Sequence, residues 1–449
     1  SRNLEEIDRE ELEYAGLFGV TNGSASGFIE NITLVNPLFA NGKIVGGIVA
    51  TNGYVTAVKG VATTFTGLTV ENCQIVGGTL RATHKVGSIV GDNLGTVKTS
   101  AAVDQRDDDY NEVSRVNVML YGGSEGYAGG IVGYNHNKGV VTGSRFAENS
   151  TVVASSGTGM NFNVYVGGIA GVNDGTITNC AVTSNQGVSI QGLKGYAGGI
   201  AGSNRSEISN SIVSTAINSP TSNDQTYAGG IAGSVVEKSK ITNVLVTETS
   251  VKGYYAGGIA GYINYSTPDG YKYNLTVDKN YNYTLTDKDV DTASIIAIDD
   301  KTNIEGKYAG GFAAVMDNGI IRNSYTRANL SGIDKNSIKA GFVVDLNLNK
   351  NTKDVSIIIN CYNTCSFEKG NGKNYSVSSK EILQDPIFDF NVDALKRNAG
   401  YCFDYAYINN QEGVTNPTNK DWLVNIFDKD KSGTSVENLM GTSPQHLTD

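Results

Sequence analysis

One phrase, repeated along the chain, sets the terms for any fold. Gly126-Tyr-Ala-Gly-Gly-Ile-Val-Gly133 returns as Val164-Tyr-Val-Gly-Gly-Ile-Ala-Gly171, Gly195-Tyr-Ala-Gly-Gly-Ile-Ala-Gly202, Thr226-Tyr-Ala-Gly-Gly-Ile-Ala-Gly233 and Tyr254-Tyr-Ala-Gly-Gly-Ile-Ala-Gly261. Looser copies stand at Tyr14-Ala-Gly-Leu-Phe-Gly19, Val45-Gly-Gly-Ile-Val49, Val86-Gly-Ser-Ile-Val-Gly91, Tyr308-Ala-Gly-Gly-Phe-Ala313 and Ala340-Gly-Phe-Val343, which makes ten. The unit is about 30 residues, stretched where loops have been inserted. A chain of 449 residues would ordinarily suggest about three domains. A repeat of this kind argues instead for one long solenoid.

Each unit has a second half, an Ile or Val, any residue, Asn, a small residue, then an apolar one. Ile29-Glu-Asn-Ile-Thr-Leu34, Val70-Glu-Asn-Cys-Gln-Ile75, Ile177-Thr-Asn-Cys-Ala-Val182, Ile208-Ser-Asn-Ser-Ile-Val213, Ile241-Thr-Asn-Val-Leu-Val246 and Ile321-Arg-Asn-Ser-Tyr-Thr326 share it. A straight strand alternates with period two, so the Ile and the small residue both face inward only if the chain bends at the Asn. Asn tolerates the left-handed backbone such a corner needs. A third apolar run often follows, as in Gly187-Val-Ser-Ile-Gln191. Three short strands per unit, without helical periodicity, predict an all-β, right-handed parallel β-helix of about ten rungs over 14–366. At ~4.8 Å per rung the rod is roughly 50 Å long.

In that register Asn31, Asn72, Asn179, Asn210, Asn243, Asn323 and Asn360 are expected to form an interrupted ladder of buried amides, each bonding the rungs above and below. Tyr14, Tyr127, Tyr165, Tyr196, Tyr227, Tyr255 and Tyr308 stack likewise. They read as an aromatic stack at the edge of the core, with a sugar-binding stripe as the sharper alternative. Tyr and Ile stand four apart, on one face if the strand is straight. Residues 1–13 are expected to form an N-terminal cap, with Leu4, Ile7 and Leu12 at near-helical spacing, and 367–449 an irregular C-terminal cap or linker.

Composition narrows the function. Glycine contributes 55 residues and proline only six, which fits neither a proline-rich linker nor collagen. No apolar run approaches the roughly 18–20 residues of a membrane helix. The net charge of −10 gives no reason to seek phosphate backbones, so nucleic acid is not an expected partner. The chain opens on Ser1 rather than Met and is read as a mature or excised fragment.

Tyr-Ala-Gly-Gly-Ile-Ala-Gly followed by Gly-x-Ile-x-Asn-Cys/Ser resembles the GLUG motif of bacterial surface proteins, including the noncatalytic regions of M26 IgA-specific metallopeptidases and haemagglutinin-like adhesins. The resemblance covers residues 14–366 and is tightest over 126–261. It implies an extracellular, cell-surface β-helix. The family's protease activity belongs to a zinc-binding His-Glu-x-x-His helix, and His84, His136 and His446 cannot assemble one.

Ligand contacts are expected in two insertions, 104–122 with Asp107, Asp108 and Asp109, and 263–306 with Tyr265, Tyr271, Tyr273, Tyr281 and Tyr283. The second also fits a plain hairpin leaving the solenoid. No catalytic residue is assigned. The competing expectation is a carbohydrate-active β-helix enzyme using those aspartates or Asp299-Asp300. No cofactor is expected; calcium is the one alternative, and Asp428-Lys-Asp-Lys-Ser-Gly433 departs from a calcium loop at Leu439, where glutamate belongs. Cys73, Cys180 and Cys361 share one slot of the unit and are expected as free buried thiols, while Cys365 with Cys402 could pair. The expectation is a monomeric, non-enzymatic stalk or adhesin that binds a host protein or glycan.

Overall fold

The computed structural model describes residues 12–23, 27–58, 61–103, 115–122, 125–155, 162–191, 194–265, 275–277, 283–285, 292–322, 324–346, 356–359, 361–368, 372–375 and 403–404. They form a parallel β-helix, and no helix occurs among them. The rung at 164–191 shows the plan, with strands Val164–Gly167, Ala170–Asn173, Thr176–Thr178, Ala181–Ser184 and Gly187–Gln191. Each stacks in parallel on its equivalent one rung on, for example Tyr165 on Tyr196, Asn173 on Asn204, Ile177 on Ile208 and Val188 on Ile217. The rung therefore has five strands where three were expected. The glycine segment breaks into two at the paired glycines, and the Ile-x-Asn segment breaks at its asparagine. Lys373–Tyr375 stacks on Ile338–Ala340 and carries the first column one rung past the last copy of the motif.

Paired glycines make the first corner because nothing larger fits. A Cβ on Gly198 would lie 2.0 Å from the Ala201 carbonyl oxygen, and one on Gly199 would lie 2.1 Å from that of Gly230 in the next rung. The third glycine meets backbone too: a Cβ on Gly202 would sit 2.4 Å from the amide nitrogen of Val166. Side chains inside the corner fill the rod. The columns Ala128-Val166-Ala197-Ala228-Ala256-Ala309 and Ile131-Ile169-Ile200-Ile231-Ile259-Phe312 are fully buried. Gly198→Ala is expected to destabilise the fold by about 1–3 kcal/mol through overpacking, as read by urea denaturation; an unchanged midpoint would contradict the close-approach account.

The asparagine corner is where the sequence placed it, but the buried amide ladder is not. Asn31, Asn72, Asn179, Asn210 and Asn243 have φ between 49° and 60°, the left-handed values a corner needs. Asn31, Asn72, Asn179 and Asn210 are exposed, and two short-range pairs remain, Asn72 donating to Asn31 at 2.7 Å and Asn243 to Asn210 at 2.6 Å. Asn323 and Asn360 lie outside the described residues. At the four exposed corners the backbone turn points the side chain away from the core, which is why the expectation fails; Asn243 alone of the five is buried.

The continuous buried ladder belongs to the second column, at the end of Ala-Gly-x-Asn. Asn52, Asn93, Asn135, Asn173 and Asn204 are all fully buried. Each donates to the carbonyl oxygen of the next, at 3.1, 2.9, 2.8 and 2.8 Å. Thr21 donates to Asn52 at one end, and Asn204 donates to the Ser206 carbonyl at the other. Beyond Asn204 the same slot passes to Val235, Ile263, Met316 and Leu346, so the inward position is amide in one half and apolar in the other.

Other expectations are trimmed. Leu12 and Glu13 belong to strand Leu12–Ala15 rather than to a cap helix, because that strand pairs in register with Gly42–Val45 of strand Leu38–Gly46; residues 1–11 lie outside the described set. Ala293–Ile298 and Asn303–Gly310 are ordinary rung strands, so the second insertion ends before Thr292. Val116–Tyr121, which the expected insertion at 104–122 included, is likewise a rung strand, so that insertion is shorter than expected. In the C-terminal region, Phe403–Asp404 still pairs with Tyr362–Asn363, and residues 376–402 and 405–449, with the 428–433 loop, lie outside the described set. A hairpin of Tyr54–Val58 and Val61–Phe65, closed by stacked Tyr54 and Phe65 rings 4.7 Å apart, was not anticipated.

Cys73 and Cys180 are free and buried, Cys361 and Cys365 are buried, and Cys402 lies outside the described residues. Cys73 and Cys180 alternate in their slot with Ser100, Ser144 and Ser211, whose hydroxyls accept the backbone N–H of the preceding rung at 3.3, 3.3 and 3.1 Å. Burial pushes the Cys180 thiol up to about 12.

Replacing Asn135 by Leu strands the amides of Asn93 and Asn173 and is expected to cost about 1–3 kcal/mol for each. Asn179→Gly keeps a residue suited to the corner at an exposed position and is expected to be near neutral. Chemical denaturation of the two variants, compared with the parent, distinguishes the two placements of the ladder.

Candidate functional site

Tyrosines of the first column point outward and stack. Tyr165, Tyr196, Tyr227, Tyr255 and Tyr308 follow one another with ring centroids 5.3, 5.0, 4.8 and 5.0 Å apart and planes within 15° of parallel. Tyr127 joins Tyr165 at 5.7 Å with a larger tilt. The spacing is simply the rung spacing. Tyr14 stands apart, since Ile44 and Lys85 occupy the slot between it and Tyr127. The expectation that Tyr shares a face with Ile fails because the glycine corner lies between them. Stacking also bears on the sugar-stripe alternative. Within the column the faces of Tyr196, Tyr227 and Tyr255 lie against neighbouring rings, so these present ring edges and hydroxyls outward.

The second column supplies the facing wall. Its outward slot carries Thr51, Asp92, Tyr134, Val172, Ser203, Ser234, Tyr262, Val315 and Asp345 in successive rungs. Because the paired-glycine corner folds the two columns toward each other, Tyr127 meets Tyr134 edge-on at 5.1 Å and Tyr227 meets Tyr262 at 5.8 Å.

Toward the N-terminal end this concave face is closed by a polar network. Asp92 receives Lys85 Nζ at 2.6 Å, and His136 Nε2 lies 2.6 Å from its other oxygen. Burial opposes ionisation of Asp92, but the bonds to His136 and Lys85 win and hold its carboxyl below the usual range. Lys85 lies 4.9 Å over the Tyr134 ring, and the Tyr134 hydroxyl donates to Asp174. Arg205 approaches Asp174 at 3.9 Å, Glu237 at 4.0 Å and the Tyr165 ring at 5.9 Å. Each charge in this network faces an opposite one, which makes it a brace for Tyr134 and Tyr165.

Farther along, the face opens into a groove of about 480 Å³. One wall is Tyr196, Tyr227, Tyr255, Tyr308 and Ile338. The other is Tyr262, Val315, Asp317 and Asp345. Tyr262 donates to Asp317 at 2.8 Å and accepts from Asn264 at 3.0 Å. Burial, reinforced by Asp317, pushes the Tyr262 phenol up to about 12, so it remains a neutral donor at physiological pH. Burial likewise raises Tyr196, Tyr227 and Tyr255.

Of the residues expected to bind ligand, Tyr265 is a buried strand residue, 5% exposed, so it is withdrawn from any loop surface. Tyr283 begins a short strand paired antiparallel with Leu275–Val277, the plain hairpin anticipated as the alternative. Tyr271, Tyr273, Tyr281, Asp107, Asp108 and Asp109 lie outside the described residues. Asp299 accepts from Thr247 and Thr302, and Asp300 pairs with Arg327 at 2.8 Å. Among the described residues no group of three His, Cys, Asp or Glu side chains is placed to hold a metal. Of the groove residues, Tyr196, Tyr227, Tyr255 and Tyr308 belong to the stack expected from the sequence, whereas Tyr262, Val315, Asp317, Ile338 and Asp345 were not singled out. Their only signal is the variable position of Ala-Gly-x-Asn, which becomes Tyr262 and Asp345 where the ladder has turned apolar.

No protein-family model, curated protein or solved structure matches the chain.

Tyrosine burial has a consequence in alkali. An acid whose pKa is raised in the folded state leaves stability unchanged below the unfolded value of about 10, and stability is lost as pH rises above it, because the unfolded chain then binds fewer protons. The expected result is a cooperative tyrosinate absorbance step that coincides with loss of the β circular-dichroism signal. Gradual ionisation near pH 10, with the fold intact throughout, would contradict the buried stack.

Proposed function

We propose that the chain is a non-catalytic module of a bacterial cell-surface protein, a stalk or adhesin that engages a host protein or glycan through the concave face of the rod. The observation that carries the reading is the groove between the tyrosine column and Tyr262, Asp317 and Asp345, an open concavity on a rigid scaffold where hydrogen-bonding hydroxyls and carboxylates converge. The GLUG-like repeat supplies the bacterial and extracellular setting. The charged groups near the groove's other end are consumed in pairs, which favours binding over chemistry. The insertions expected at 104–122 and 263–306 take second place as ligand-bearing elements, and this is the main change from the sequence-based expectation.

A glycan and host-protein array decides between groove and insertions. Binding is expected to survive replacement of residues 270–288 by a short Gly-Ser turn and to fall at least about tenfold in a Tyr262→Ala, Asp345→Ala double variant, a loss of about 1.4 kcal/mol. Binding lost with the insertion and kept by the double variant would overturn the groove assignment. Polysaccharide degradation by the purified chain, abolished by Asp107→Ala, would overturn the non-catalytic reading.

A further inference from the structure

The tyrosine column changes character along its length. Up to Tyr165 its hydroxyls are engaged by the protein, Tyr127 by Glu125 and Tyr165 by Asn163 and Arg205. From Tyr196 onward they are left open. The hydroxyls of Tyr196, Tyr227, Tyr255 and Tyr308 make no hydrogen bond to any described residue, and these four half-buried side chains form one wall of the groove. On the opposite wall the Tyr262 hydroxyl is already shared between Asp317 and Asn264. The groove therefore offers a ligand one open row of phenols, all on one side.

The row has a fixed pitch. Its ring centroids stand 5.0, 4.8 and 5.0 Å apart with planes within 15° of parallel, so the hydroxyls repeat once per rung over three steps. A ligand that satisfies all four must present a hydrogen-bonding group at that pitch. An extended polypeptide does so at every second residue, about 6.6 Å, and slips by a whole rung along the row. A polyproline II segment returns the same face only every third residue, about 9 Å. A helix repeats at about 5.4 Å, but three turns about 10 Å across fill roughly 1,300 Å³. The groove holds about 480 Å³. In a chain of equatorially linked pyranoses each sugar advances by close to one rung and carries a hydroxyl at the chain's edge. Phenols bond such an edge without any stacking, which suits rings whose faces are already covered. None of the described lining residues is Lys, Arg or His, so the groove offers an acidic glycan no counter-charge.

We propose that this groove binds an extended, uncharged glycan of equatorially linked pyranoses, laid along the rod with successive sugars hydrogen-bonded to Tyr196, Tyr227, Tyr255 and Tyr308. The inference rests on the reading of the groove as the binding face. Isothermal titration of the whole chain with cellohexaose, β-mannohexaose and N-acetylchitohexaose tests it. Maltohexaose, whose axial bonds coil the chain, is the contrast. Expected is saturable binding of at least one of the first three, about tenfold or more tighter than that of maltohexaose. The double variant Tyr227→Phe, Tyr255→Phe keeps both rings and their stacking, loses two hydroxyls, and is expected to weaken that binding about five- to twentyfold. Tyr127→Phe alters the same column outside the groove, where Glu125 engages the hydroxyl, and is expected to change the affinity by less than about twofold. Circular dichroism of the variants confirms that each is folded. Failure of all three hexamers to bind, equal binding of maltohexaose, or an unchanged affinity in the double variant would each overturn the proposal. Equal weakening by Tyr127→Phe would place the sugar outside the groove and overturn it too. Array binding confined to proteins, and still lost in the Tyr262→Ala, Asp345→Ala variant, would overturn the glycan while leaving the groove as the binding face. Loss of array binding with the 270–288 replacement, together with no hexamer bound, would remove both.

Discussion

At each paired-glycine corner a carbonyl oxygen comes within about 2 Å of where a Cβ would stand, so the backbone itself fills the space a side chain would take. That close approach sets how the first two strands of every rung meet. It turns their inward positions toward one core and folds their outward positions toward one another. Columns of identical residues then fall into line at the rung spacing. The tyrosine stack, the amide ladder and the concave face all depend on this one contact, repeated along the rod.

The fold was legible because the repeat is a period, and a period survives variation at single positions. Which asparagine is buried was harder to read. Three units carry both asparagines, Asn52 with Asn72, Asn173 with Asn179 and Asn204 with Asn210, and the Ile-x-Asn copy occurs in more repeats than the Ala-Gly-x-Asn copy, which gives way to Val235, Ile263, Met316 and Leu346. Persistence favoured the wrong one. A positive φ turns Asn31 or Asn179 outward at a corner, whereas Asn135 or Asn173 stays extended in a strand and points in. Backbone geometry decides burial here, and spacing alone does not carry it.

The groove was illegible for a related reason. It is built from outward positions of two neighbouring columns, and a single unit gives no sign that they face one another. Sequence drew attention to the tyrosines of the long insertion, because loops on scaffolds often carry function. Tyr265, the first of them, instead completes a strand and is buried. Meanwhile Tyr262, three residues earlier, looked like one more variable position in the repeat. It is the residue that joins the tyrosine wall to Asp317.

Assignment of the working surface to the concave face is most directly tested by hydroxyl-radical footprinting of the chain with and without a ligand captured on the array. Protection of peptides carrying Tyr255, Tyr262, Tyr308 and Asp345, with the outer faces of the rod unchanged, is the predicted result. Protection confined to residues 104–114 or 266–291, with those groove peptides oxidised as in the free chain, would contradict it.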